Sequence, residues 1–199
     1  MEKIILASNN KHKIKEFQEI YTDKQIVALN DIGFTEDIVE DGNSYLENAL
    51  IKAKTISKFL KNKGIEVPVI AEDSGLGVNS LNGAPGIYSA RYAGGHDNVH
   101  ACRAKLLKEL EGKADRTAYY TATLVEYFPD DTYIWVEART EGEILKQETV
   151  ENNFGYDPLF YSYDLKKSFS EATMEEKNSV SHRARAILKL REAEKNLKK

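Results

Sequence analysis

Two short apolar runs, Ile4 to Ala7 and Val67 to Ala71, constrain this chain more than any other feature. A continuous apolar run of that length suits a strand buried on both faces, and such strands belong to sheets covered by helices on either side. The first run breaks at Ser8-Asn9-Asn10, after which Ile14, Phe17, Ile20 and Tyr21 fall on one side of a helix that Asn9 or Asn10 can cap. A second helix places Leu46, Ala49, Leu50, Ala53 and Leu60 in helical rhythm, with Ser44 as N-cap and Glu47 three residues on. Val67 to Ala71 ends at Glu72-Asp73-Ser74-Gly75. A third helix runs through Val99, Cys102, Leu106 and Leu110. Arg116 to Phe128 and Thr132 to Ala138 alternate as two strands around the turn Pro129-Asp130-Asp131, a hairpin. The last helix begins near His182 and is expected to bury Ala186, Leu190, Ala193 and Leu197. The fold class is therefore α/β with a mixed sheet. With 199 residues, no repeat and no Pro/Ser linker, the chain reads as one domain, whole or split into two lobes by a cleft.

Hydrophobic residues at 41% and charged residues at 30% exclude a disordered chain. A net charge of −4 offers no global basic field, which argues against polymeric nucleic acid as a partner. An anionic ligand must then be met by a local cluster of Lys and Arg. Cys102 is the only cysteine, so no intrachain disulfide or thiolate metal site can form, and it reads as a small core residue. The apolar start is too short for a signal-peptide core and no run is long enough to span a membrane, so the expected location is cytoplasmic.

Four constellations could carry chemistry. Ser8-Asn9-Asn10-Lys11-His12-Lys13 lies where a strand turns into a helix, and a helix N-terminus with lysines suits phosphate. A capped, solvated turn explains the same residues, and the spacing is not that of a P-loop. Glu40-Asp41 and Glu72-Asp73 each follow a strand-like stretch; Mg²⁺ takes one or two carboxylates plus phosphate oxygens, and a carboxylate beside it can deprotonate water. Asp-Ser-Gly is also good turn chemistry. Phe154-Gly155-Tyr156-Asp157-Pro158 offers an aromatic to stack on a base and a carboxylate for its polar edge, or simply a loop with a buried Phe. Lys177 and Ser181-His182-Arg183 lead into the last helix, where Ser181 also reads as an ordinary N-cap. Lys52, at the apolar edge of its helix beside Asn48, looks like a snorkelling lysine.

Together, in this order, these residues resemble the inosine/xanthosine triphosphate pyrophosphatase (ITPase, Ham1-like) family. The resemblance also includes Glu47-Asn48-Ala49 and the run Leu81-Asn82-Gly83-Ala84-Pro85-Gly86-Ile87-Tyr88-Ser89-Ala90-Arg91-Tyr92, and it spans nearly the whole chain. It implies a long, curved mixed sheet flanked by helices in two lobes, a central active-site cleft and a homodimer. It further implies that water attacks a purine nucleoside triphosphate such as ITP, dITP or XTP to leave the monophosphate and pyrophosphate.

Carried over by position, the resemblance has Ser8, Asn9, Asn10, Lys11, His12 and Lys13 cradle the triphosphate, with Lys13 also catalytic. Glu40, Glu72 and Asp73 would hold Mg²⁺, with Asp73 the general base. Lys52 and Ser74 would touch phosphate, and Phe154 would stack on the base. Gly155, Tyr156, Asp157, Lys177, His182 and Arg183 would surround the base. The chain departs from the family pattern in three places. Ser8 to Lys13 replaces Thr-Gly-Asn with a further Gly before the lysine, Asn152-Asn153 replaces a paired Gly, and Glu72 stands where bacterial relatives often carry Asp. Phosphoryl chemistry needs positioning and charge neutralisation more than a covalent nucleophile, which agrees with this residue set. A Maf-like pyrimidine nucleotide pyrophosphatase would lack the Ser181-His182-Arg183 element, and a non-catalytic nucleotide sensor would not need Asp73. An RNA-binding module lacks a basic-aromatic platform here.

Overall fold

The computed structural model describes residues 1–95, 98–150 and 154–197. Asn152 and Asn153, which replace the paired glycine of the resembled pattern, lie outside these residues. Strand β1 (Glu2–Leu6) carries the first apolar run. Helix α1 (Lys11–Ile20) starts because the Asn10 side chain accepts from the His12 and Lys13 N–H groups at 3.0 and 3.2 Å. Asn9 is not the cap; its side-chain oxygen accepts from the Asn30 N–H at 2.8 Å. After β2 (Lys24–Val27), helix α2 (Tyr45–Lys61) opens on Ser44, which accepts from the Glu47 N–H. The Glu47 carboxylate in turn accepts from the Asn43 N–H at 2.6 Å.

Then come β3 (Val69–Val78), α3 (Val99–Glu109), β4 (Thr117–Tyr127) and β5 (Tyr133–Ile144). Two short strands, β6 (Phe160–Ser162) and β7 (Lys167–Ser168), precede α4 (Met174–Val180) and α5 (His182–Leu197). The seven strands form one sheet in the order β2-β1-β3-β4-β5-β6-β7. The sheet is mixed. β1 runs parallel to β2 and β3, with Ile4 opposite Ile26 and Ile5 opposite Val69, whereas β5, β6 and β7 pair antiparallel.

The described residues group into two compact units, and β3, β4 and β5 each contribute to both. The first unit holds 1–73, 122–138 and the C-terminal stretch from Ala184. Its sheet has a core on each face. Ile4, Leu6, Ile70, Ala122 and Leu124 pack with Phe17 and Tyr21 of the α1 segment and Ala186, Ile187 and Leu190 of α5. Ile5, Ala7, Val69, Ala71 and Val125 pack with Ala49, Ala53, Ile56 and Leu60 of α2. Side chains alternate across a strand, so a strand covered twice must be apolar at every position, and this is why both runs are unbroken. The second unit, 74–121 and 139–183, packs Leu76 and Val78 against Cys102 and Leu106 of α3 with Tyr120, Phe160 and Phe169.

Four expectations need correction. β3 does not end at Glu72-Asp73-Ser74-Gly75 but runs on to Val78, because Leu76 and Val78 resume the buried alternation and Gly75 keeps an ordinary strand backbone. Glu40 follows no strand; it lies in the irregular segment before α2. β5 continues past Ala138 to Ile144, where Arg139 to Ile144 belong to the second unit and Gly142 to Ile144 pair with β6. In α5, Leu197 is exposed and Ala193 only half-buried, while Ile187 is buried instead, because the core contacts are made near the helix start.

Candidate active site

In the first unit, three elements bring charged groups together. The turn ahead of α1 is braced by its own side chains: Ser8 Oγ accepts from the Asn10 N–H at 3.1 Å, and Asn9 and Asn10 are engaged as described. Lys11 and His12 are exposed, and the first turn of α1 contains no acidic residue of its own. Lys13 reaches the buried Glu72, with Nζ 3.4 Å from Oε1.

Strand alternation sends Glu72 and Asp73 to opposite faces of β3. Glu72 shares its face with Ile70, on the α1 side; Asp73 shares its face with Val69 and Ala71, on the α2 side. On that side Lys52 Nζ lies 2.6 Å from Glu40 Oε2 and 3.8 Å from Asp73 Oδ1. Asn48 donates from Nδ2 to Asp73 Oδ2 at 2.9 Å. Burial pushes the Asp73 carboxyl above its ordinary value, with the Lys52 ammonium and the Asn48 hydrogen bond opposing. Lys52 is therefore no snorkelling residue: it is buried and bridges two carboxylates.

The expected metal carboxylates are thus divided, with Glu40 and Asp73 meeting at Lys52 and Glu72 meeting Lys13. Among the described residues, no three His, Cys, Asp or Glu side chains stand close enough to hold a metal by themselves. Two oxygen-donor side chains on one side do fit a hard cation that takes its remaining ligands from phosphate and water.

The second unit contains the aromatic end. Gly155 adopts φ 51°, a backbone position that favours glycine, and Tyr156 and Asp157 are buried behind it. Asp157 receives the Lys177 ammonium at 2.5 Å, and the Tyr120 hydroxyl sits 3.5 Å from its other oxygen. Lys177 Nζ also stands 4.2 Å from the centre of the Phe154 ring, which the Arg183 guanidinium approaches at 6.0 Å. His182 stacks on Tyr120 with ring centres 4.7 Å apart. So Phe154, Asp157, Lys177, His182 and Arg183 do come together. Phe154 is half-buried rather than a core side chain, as an aromatic must be to offer a face. Tyr156 points elsewhere: its hydroxyl donates to the Ser89 carbonyl at 2.8 Å, and its ring lies in the core. Ser74 sits in β3 next to Asp73.

Sequence reasoning gave no role to Asn48 or Tyr120. Asn48 had a signal, since it stands one turn before Lys52 and so shares its helix face. Tyr120 had only strand alternation.

Residues 4–193 match the Ham1 family. The chain belongs to the Ham1 family. Among Ham1-like relatives, a dITP/XTP pyrophosphatase of Clostridium perfringens is 46% identical, with all of both chains covered. The solved structure of the Staphylococcus aureus Ham1 protein is 37% identical with a TM-score of 0.86, again over all of both chains. A HAM1 protein from Coxiella burnetii is 33% identical with a TM-score of 0.87, covering 98% of this chain and 100% of that one.

Proposed function

We propose that this Ham1-family chain is a nucleoside-triphosphate pyrophosphatase that hydrolyses deaminated purine nucleotides, dITP, ITP and XTP, to the monophosphate and pyrophosphate. The observation that carries the reading is Asp73: a half-buried carboxylate held by Asn48 and Lys52, in a chain 46% identical over its whole length to a dITP/XTP pyrophosphatase. A carboxyl whose proton affinity is raised by burial is suited to take a proton from water. Lys13 and Lys52 supply positive charge for phosphate oxygens. Phe154 would stack on the purine, with Asp157, Lys177, His182 and Arg183 around its polar edge. His182 and Arg183 favour this reading over the Maf-like one.

Glu40 and Asp73, which meet at Lys52 on one side of β3, would hold Mg²⁺, while Glu72 on the other face is taken up by Lys13. When bound, such an ion neutralises charge on the phosphate chain and polarises water. Asp73 then keeps the base role, and the lysines keep the anion in place. The reading includes a homodimer in the cytoplasm; no described helix is long and apolar enough to cross a membrane.

Phosphorus NMR of the products tests the reading. With ITP and Mg²⁺, the expected signals are IMP and pyrophosphate, stopped by EDTA and restored by added Mg²⁺. Appearance of IDP with free phosphate would overturn the bond assignment, and full turnover in EDTA would overturn the metal.

A further inference from the structure

We propose that Asn48 is a positioning residue for Asp73, transmitting the fixed direction of the Gly42 backbone N–H to the carboxylate. The inference rests on the reading of Asp73 as general base. Asn48 lies in the second turn of α2 and is only 1% exposed. Its carboxamide touches two groups: the Gly42 N–H at 2.9 Å from Oδ1, and Asp73 Oδ2 at 2.9 Å from Nδ2. Chemistry leaves one orientation. A backbone N–H only donates and an ionised carboxylate only accepts, so the oxygen must face Gly42 and the amino group must face Asp73. The amide cannot flip without losing both bonds.

Gly42 makes this approach possible. A Cβ there would stand 2.8 Å from Asn48 Oδ1 and 2.7 Å from Glu47 Cβ, closer than real side chains come. Glu47 in turn anchors the helix start through the Asn43 N–H. The loop, the cap and the amide therefore form one rigid chain ending at Asp73 Oδ2. Fixing one carboxylate oxygen by a directed hydrogen bond sets the plane of the group and hence the direction of the other, the geometry a general base must keep toward its water. Lys52 cannot do this, because an ammonium 3.8 Å away attracts without fixing an orientation.

The experiment is a cycle of the parent, Asn48→Ala, Asp73→Asn and the double variant, with kcat and KM for dITP and a melting curve for each. Asn48→Ala is expected to lose about ten- to a hundredfold in kcat, with KM within about twofold. The double variant should be no slower than Asp73→Asn alone, since the amide acts only through the carboxylate. Gly42→Ala, which leaves both side chains in place but crowds the amide, should likewise lower kcat and keep KM within about twofold. If Asn48→Ala does not fold, the Gly42→Ala and Asp73→Asn cycle is read in the same way. An unchanged kcat in Asn48→Ala, or losses that multiply in the double variant, overturns the positioning role while leaving the base reading intact. Parent-like turnover in Asp73→Asn overturns the base reading itself, and this inference with it.

Discussion

Lys52 and Arg183 show what burial does to a charged side chain. Lys52 is 8% exposed, and an ammonium so placed is tolerated only when carboxylates compensate it; Glu40 and Asp73 do so. The same ion holds together two acids that would otherwise repel. Arg183 is 3% exposed beside Phe154. Guanidinium groups only donate, which suits the 6-oxo group of hypoxanthine or xanthine and opposes the 6-amino group of adenine. A buried polar group left unpaired costs about 1–3 kcal/mol, so two mismatches would give roughly a hundredfold or more discrimination against ATP. Guanine also has a 6-oxo group, so discrimination against GTP should be weaker. The expected result is a high ratio of kcat/KM for ITP over ATP, reduced at least about tenfold in Arg183→Ala. Equal treatment of ATP and ITP by the parent protein would remove Arg183 from the base edge.

Caps and glycines decide where elements begin and how closely they approach. The Asn10 and Ser44 caps were legible because an oxygen-bearing side chain just ahead of an apolar face has one obvious use. The capping box of Thr173 and Glu176 on α4 carries an equally local signal, but no apolar run follows it to mark a helix. Strands β6 and β7 left still less trace, being held by pairing with β5 rather than by their own pattern. Gly142 belongs to that pairing. A Cβ there would lie 2.2 Å from the Tyr161 backbone oxygen and 2.7 Å from the Phe160 ring, and neither a strand backbone nor a core ring moves easily. Gly142→Ala is expected to cost about 1–3 kcal/mol of stability. A urea unfolding midpoint unchanged from the parent would show that β6 can shift without cost.

Stability of the molecule as a whole should depend on a proton that the proposed chemistry does not use. Glu126 of β4 is 2% exposed, and its carboxyl is pushed up to about 8, first by burial and then by the neighbouring Glu194 of α5. Lys24 opposes this shift while Glu2 adds to it, and Lys24 donates to Glu194 at 3.0 Å. Tyr21 and Arg191 stand at the same cluster, the tyrosine hydroxyl 3.3 Å from Glu194 and the guanidinium over the tyrosine ring. Between the ordinary value of 4.5 and about 8, the folded chain keeps a proton that the unfolded chain releases. The contribution is therefore complete below pH 4.5 and is lost as pH rises toward 8, with a slope of up to ~1.4 kcal/mol per pH unit. Tm should fall from pH 5 to pH 8, and Glu126→Gln, which cannot ionise, should flatten that fall. Parallel Tm profiles for the two proteins would show that Glu126 is already ionised in the folded state.

Local pattern by itself determined the α/β class, the buried strands β1 and β3, the helices α1, α2, α3 and α5, and the hairpin of β4 and β5. Each is written in the periodicity of neighbouring residues. The motif order also carried the family, and with it the proposal of Lys13, Asp73, Phe154 and Arg183 as site residues. Tertiary structure alone decided that Glu72 and Asp73 part company across β3, that Lys52 joins Glu40 to Asp73, that Asn48 holds Asp73, and that Tyr156 turns into the core. These are distances between segments far apart in the chain, set by how strands and helices stack, and no local periodicity encodes them.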